Sequence, residues 1–500
     1  MRKFVFVSMA FLLLTAAGFS GCKNDDADVV YVSLAGDDNN PGTKRQPVKT
    51  IQTAISKSES NSHIFVVSGV FLPGNGLNTE SAGYQNSGIF IDKGNLTILG
   101  GWDSEFNERN GITELDGKTA LKHIIWIDDV EHVTIDGFVI RGGAAVAGGD
   151  TDRCGGGMYI NKGGNHNIRN TVITNNNSNL RGGGVYMINS ASNIMDTIVG
   201  GNNAYNGGGI FITESTGITV KGSISENNAY DTGGGIYVIR GAGNTINAMI
   251  SNNSASDRGG GALISYSRDN TINGTIKMNS AYVAAGLKVR FSENITIDAD
   301  IIFNTASEAA GGVYLSYATN CTLSGTISEN GSGYGAGLFL SMGIDNKVSA
   351  SLSGNIAYES GGGAYIAGSE GNIITSSVIK NTADKGGGLY LNGGSNNKID
   401  GTVTENTAET LGGGIYVSEG TGNIIGGVVK NNLAKENGGG VYFEDYEESG
   451  TNNTHKFESP AISGNSPYGV ARRNDYSQPQ GIVKIDWGSG NEPENMNRTP

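Results

Sequence analysis

The sequence predicts an all-β fold, a single-stranded parallel β-helix in which three short strands make each coil of one long solenoid. Three observations carry this. First, glycine triplets recur at a fixed period. Their third residues are Gly157, Gly184, Gly209, Gly235, Gly261, Gly286, Gly312, Gly337, Gly363, Gly388, Gly414 and Gly440, eleven steps averaging about 25.7 residues, and such regularity marks one supersecondary unit stacked on itself. Second, the segments between triplets alternate with a period of 2, as in Gly235-Ile236-Tyr237-Val238, Asn244-Thr245-Ile246 and Met249-Ile250-Ser251, and no helical period of useful length fits between them. Third, asparagine recurs in two columns. One runs Asn176, Asn202, Asn227, Asn253, Asn279, Asn304, Asn330, Asn355, Asn381, Asn406 and Asn432; the other runs Asn193, Asn244, Asn270, Asn320, Asn346, Asn372, Asn397 and Asn423. Asn tolerates left-handed backbone angles, and stacked amides hydrogen-bond between coils, so these ladders are architectural.

Composition agrees. Of 500 residues, 80 are Gly, 55 are Asn and only 8 are Pro, which excludes collagen for want of a G-X-Y period. The net charge of −14 and the lack of any Lys/Arg cluster exclude nucleic acid as a partner and argue against binding to anionic lipid. The Asp-bearing GGxGxD unit of a calcium-binding β-roll is absent.

In chain order, residues 1–22 carry Arg2 and Lys3, an apolar run from Phe4 to Phe19, and Ser20-Gly21-Cys22. The run is short for a membrane span and suits a signal peptide. Small residues before Cys22 resemble the bacterial lipobox, which implies acylation of Cys22 as the membrane anchor. Residues 23–29 are a tether whose Lys23-Asn24-Asp25-Asp26 resembles the acidic export tag of Bacteroidota lipoproteins, so an outer-membrane lipoprotein at the cell surface is expected. Residues 30–145 form an N-terminal cap and irregular first coils. Within them Pro47–Ser58 reads as a short capping helix with Val48, Ile51 and Ile55 on one face. Residues 146–448 are the regular repeats, and 449–500, with Trp487, are the last coil and C-terminal cap. Cys154 and Cys321 lie six coils apart, roughly 29 Å along the axis, too far to bridge.

Tyr31-Val32-Ser33 through Gly36-Asp37-Asp38-Asn39-Asn40-Pro41-Gly42-Thr43 to Pro47-Val48-Lys49-Thr50-Ile51-Gln52, with Gly100-Gly101-Trp102, Leu115-Asp116-Gly117 and Ile135-Asp136-Gly137-Phe138, resembles the bacterial right-handed parallel β-helix proteins of the pectin-lyase-like superfamily. The repeats also resemble those of chlamydial polymorphic outer-membrane proteins. The resemblance covers roughly residues 30–490 and implies a right-handed coil. It does not imply one activity, since the superfamily mixes lyases, hydrolases, epimerases and adhesins.

After each triplet, positions 1 and 3 are aliphatic and face inward, so Ile236, Val238, Ile415 and Val417 are expected in the core. Position 2 faces outward and is aromatic at Tyr159, Tyr186, Phe211, Tyr237, Tyr314, Phe339, Tyr365, Tyr390, Tyr416 and Tyr442. An exposed column of rings is expected, binding a glycan or a surface protein through Tyr237, Tyr314, Phe339, Tyr365, Tyr390, Tyr416 and Tyr442. Exposure also predicts that Tyr416→Ser costs about 1 kcal/mol or less. Leu263 and Lys288 interrupt the column, and Arg290 follows.

Lys288 and Arg290 are the candidate catalytic residues of an alternative reading, a polysaccharide lyase that removes a sugar proton from an acidic glycan. Asp116, Asp136, Asp298 and Asp300 are the candidate ligands if Ca²⁺ binds at all; no other cofactor is expected. The polygalacturonase Gly-His-Gly and paired-Asp motifs and the epimerase Asp-Pro-His-Asp motif are missing. The primary expectation is a monomeric, surface-anchored binding or adhesive module.

Overall fold

The computed structural model describes residues 28–79, 86–444, 454–457, 461–472 and 484–486. Cys22 with the expected signal peptide and most of the expected tether, and Trp487 with much of the C-terminal segment, lie outside the described residues.

The strands pair in parallel, each with its counterpart one repeat away, so the chain is a β-solenoid. Each coil contributes to three faces. Face one is the strand after the glycine triplet: Ile236–Ile239, Ala262–Ser265, Leu287–Arg290, Val313–Ser316 and their counterparts, fifteen strands from Ser87–Ile91 to Val470–Arg472 among the described residues. Face two is the longer middle strand, such as Thr219–Ser225 or Thr296–Ile302. Face three is the short strand after the first Asn column, such as Asn228–Thr232. Register keeps like residues in line, so that Tyr365, Tyr390, Tyr416 and Tyr442 are successive partners, as are Leu263, Lys288 and Tyr314.

The core is a continuous aliphatic column inside the coil. Ile236, Val238, Ile415 and Val417 are all buried there, as the period-2 pattern predicts. The triplet makes the corner into face one. In Gly233-Gly234-Gly235 the first residue has φ +70°, a left-handed angle that favours glycine. A Cβ on the second would lie 2.3 Å from the Gly260 carbonyl oxygen of the next coil, so that corner has no room for a side chain.

The first Asn column is a fully bonded ladder. Asn227 donates from its backbone N and its Nδ2 to Oδ1 of Asn253, both at 3.0 Å, and from Nδ2 to the Val199 carbonyl at 2.9 Å. The same pattern runs from Asn176 onward and ends on Asn465. The second column holds as well, with one correction. Asn320 is exposed and bonds Asn294, and Cys321 takes the buried ladder position, donating from its N to Asn346 Oδ1.

Among the described residues one α-helix forms, Ile51–Lys57, with the Thr50 side chain accepting from Thr53 N and with Ile51, Ala54 and Ile55 buried. It is shorter than the Pro47–Ser58 expected. Val48 is extended and pairs with Val32, so the preceding residues add to the first coil instead of the helix. Cys154 and Cys321 are both buried, unbridged thiols, and burial pushes each up to about 11.

Candidate functional site

The outward rings of face one do form a column, but they are not exposed. Tyr159, Tyr186, Phe211, Tyr416 and Tyr442 are buried, with Tyr416 at 0%. Tyr237, Tyr314, Phe339, Tyr365 and Tyr390 are half-buried. Two causes act together. The rings use their faces on one another: from Phe339 to Tyr442 the centroids are 4.6–5.2 Å apart with interplanar angles of 5–23°. Side chains from the turn before the triplet then fold over them, as Arg181 does over Phe211 at 5.6 Å and Lys385 over Tyr416 at 5.8 Å. The Tyr416 hydroxyl donates to Glu444 at 2.6 Å. Outward orientation therefore gives a second packed layer, and the expectation of an exposed binding strip fails on this column.

The column breaks where the sequence says it does. Leu263 is 2% exposed and Lys288 5% exposed, so Lys288 is also more buried than its outward position implied. Its ammonium lies 4.2 Å from the Tyr314 ring centroid, a cation–π contact. Burial, followed by the charges of Arg258 and Arg290, lowers its pKa to about 7, against a smaller opposing effect of Asp257.

Beside this break lies a cleft of about 350 Å³. Its floor runs over Tyr186, Phe211 and Tyr237 and ends at Leu263. Four arginines line it, Arg181, Arg240, Arg258 and Arg290, with Glu214, Asp231 and Asp257. Two pairs are internal, Arg240–Glu214 at 3.2 Å and Arg258–Asp257 at 3.1 Å. The Asp231 carboxyl is raised by burial and by Asp257.

A second cleft, of about 590 Å³, shares Glu214 and Arg240 with the first. It carries the exposed rings that the outward column lacks: Tyr266 at 52%, Phe291 at 38% and Tyr317 at 51%. They stack at 5.0 and 4.8 Å with interplanar angles of 19° and 21°. Arg290 bridges the two clefts, its guanidinium 5.8 Å from the Tyr266 ring and 4.9 Å from that of Phe291. These rings sit one residue past each face-one strand, at φ of 46–49°. Left-handed angles cost a bulky L-residue energy that Asn or Gly would not incur, and other coils place Asn189, Gly368 or Gly393 there. Sequence reasoning stopped at the strand end and missed them, although three aromatic residues at the repeat period were the available signal.

The acidic candidates lie elsewhere. Asp136 is held by Arg109 at 2.5 Å and Arg169 at 2.7 Å. Asp116 is held by Lys118 at 2.8 Å and Arg141 at 3.0 Å. Burial raises both carboxyls, but these donors and charges outweigh it and leave each pKa lowered. Asp298 and Asp300 are exposed on face two and line neither cleft, and Asp298 accepts from Ser324. Among the described residues no group of three or more His, Cys, Asp or Glu side chains converges as a metal site.

Two family models match the sequence: the periplasmic copper-binding protein NosD over residues 230–401 and the right-handed β-helix region over residues 341–480. The chain is a β-helix repeat protein. No curated protein matches it. Among solved structures, the β-helix is similar to pectate lyase Pel9A, at 12% identity over 82% of this chain and 78% of that one with a TM-score of 0.30. It is also similar to the mannuronan C-5 epimerase AlgE6 A-module of Azotobacter vinelandii, at 13% over 83% and 94% with a TM-score of 0.32. The DFA-IIIase of Arthrobacter chlorophenolicus A6 without its lid matches at 12% over 87% and 95%, with a TM-score of 0.32.

The donor set of this β-helix does not fit copper across the matched 230–401 segment. That segment has no histidine and one cysteine. Cys321 is buried with its thiol pushed up to about 11. Its methionines, Met249, Met278 and Met342, are exposed on or after different strands and do not converge. Copper binding needs such soft or imidazole donors gathered at one point.

Proposed function

We propose that this β-helix is a glycan-binding module, anchored at the outer membrane through acylated Cys22 and acting as a monomer. The observation that carries the reading is the exposed stack Tyr266–Phe291–Tyr317 beside a cleft walled by arginines and carboxylates. The coil repeat of about 4.8 Å sets the spacing of every contact along the axis, so the strip suits an extended linear chain. Rings take the apolar faces of sugars, and Arg, Asp and Asn side chains bond their hydroxyls. A folded protein partner would leave this narrow strip poorly filled. In the same reading the helix Ile51–Lys57 covers the open edge of the first coil.

The test is a triple Tyr266→Ser, Phe291→Ser, Tyr317→Ser variant on a glycan array. The rings are exposed, so its melting temperature is expected to stay within a few degrees of the parent. Glycan binding is expected to fall at least tenfold. Unchanged binding would overturn the reading.

A second reading, β-elimination on an acidic glycan, is favoured by the Lys288 amine, half neutral near pH 7. A neutral amine can accept the proton from the carbon beside the uronate carboxylate as the glycosidic oxygen leaves. Lys288 faces Tyr314 and does not line the cleft, which ranks this reading second. Ultraviolet absorbance of an unsaturated product would promote it.

A further inference from the structure

We propose that the cleft over Phe211 and Tyr237 is a reader of linear polyanions, with Arg181 and Arg290 as two anion contacts four coils apart. The inference rests on the glycan-binding reading and names its ligand class: a glycan bearing repeated carboxylate or sulfate groups.

Charge pairing within the cleft singles out these two residues. Of its four arginines, Arg240 and Arg258 have carboxylate partners, Glu214 and Asp257. Among the described residues Arg181 and Arg290 have none; each rests against rings, Arg181 on Phe211 and Arg290 on Tyr266 and Phe291. Arg181 also hydrogen-bonds Tyr186; with no carboxylate holding either guanidinium, each keeps N–H groups for an anion. Both are only partly buried, so the sites are reachable.

The positions of the two explain the length requirement. Arg181 precedes the Gly184 corner and Arg290 follows the Gly286 corner, four coils further on. At about 4.8 Å per coil they lie roughly 19 Å apart along the axis, and Arg181 aligns with Val283, seven residues before Arg290, so the full separation is greater still and exceeds a disaccharide. The surroundings explain the sign. The whole chain carries −14, whereas four arginines against Glu214, Asp231 and Asp257 leave this cleft one positive charge in excess. Behind them Lys288 is buried with no ion pair among the described residues, adding positive potential when protonated.

Binding would be measured by calorimetry on the mature protein with four probes: a galacturonate hexamer, a heparin-derived hexasaccharide, neutral cellohexaose and a glutamate hexapeptide. A galacturonate dimer tests length. The variants are Arg181→Gln and Arg290→Gln, with exposed Lys221→Gln on face two as the control for bulk charge. At least one acidic hexamer is expected to bind at least tenfold more tightly than cellohexaose or the dimer. Each arginine variant should lose at least fivefold and Lys221→Gln less than twofold. The acidic probe that binds tells carboxylate from sulfate. If cellohexaose binds equally well, or the arginine variants bind acidic hexamers normally, this inference is overturned while the glycan reading stands. If the glutamate peptide binds as tightly as the best acidic hexamer, the ligand is not specifically a glycan. If no glycan binds, both readings fall.

Discussion

From Phe339 to Tyr442 the outward position of face one holds five rings in succession; at Leu263 and Lys288 the same position holds none. The two stretches share backbone, register and core. In the first, each ring face is occupied by the next ring, and the outer layer closes until Tyr416 has no exposed surface. In the second, the outer layer is interrupted. The cleft that runs over the neighbouring rings ends there, and the charges of Arg258 and Arg290 gather around it. The comparison teaches that an outward position on a solenoid is a packing position even where the ring stack breaks, since Leu263 and Lys288 are buried there too; what the break changes is the neighbouring surface, where the cleft over Tyr186, Phe211 and Tyr237 ends.

The largest expected effect lies in the closed stretch. Tyr416→Ala removes a fully buried ring and the partner of Glu444, and should cost roughly 3–5 kcal/mol, several times what an exposed ring would. Chemical denaturation of this variant measures it. A loss under about 1 kcal/mol would reinstate the exposed column and erase the difference between the two stretches.

A smaller effect belongs to the break. Lys288 has its pKa lowered to about 7, whereas an unfolded lysine titrates near 10.4. Between these values the unfolded chain holds the extra proton, so this residue makes stability rise with pH through that window. Below about pH 7 the charged, buried amine imposes its full cost. Lys288→Met keeps the stem and removes the charge, and should raise the melting temperature at pH 6 and flatten the slope between pH 7 and 10. An unchanged slope would mean that Lys288 is well solvated in the folded protein.

Much of this was legible in the sequence, and the failures have physical causes. The period of the triplets and the Asn ladders identify coil, register and core because each coil must repeat the same hydrogen bonds. Burial of the rings was not legible. Alternation says which way Tyr416 points and nothing of what Lys385, Leu411 or the next ring does above it. The Asn320 error arose because coils vary by a residue in length, and identity was followed where position mattered: the buried site belongs to Cys321. The acids at Asp116 and Asp136 suggested Ca²⁺ because Arg109, Arg141 and Arg169 come from other parts of the coil and meet them only in the fold. The exposed rings were missed because they lie at the corner, where turn residues were expected.

The central claim, that the break in the ring column makes the site, is tested most directly by closing it. The double variant Leu263→Phe, Lys288→Tyr continues the column from Tyr237 to Tyr314, whose strands already align in register. Restored stacking should stabilise the fold by about 0.5–1.5 kcal/mol per added ring pair. Melting temperature and glycan affinity would be measured on one preparation. The account predicts a melting temperature equal to or above the parent's together with at least a tenfold loss of glycan binding. A folded variant that binds as the parent does would contradict it.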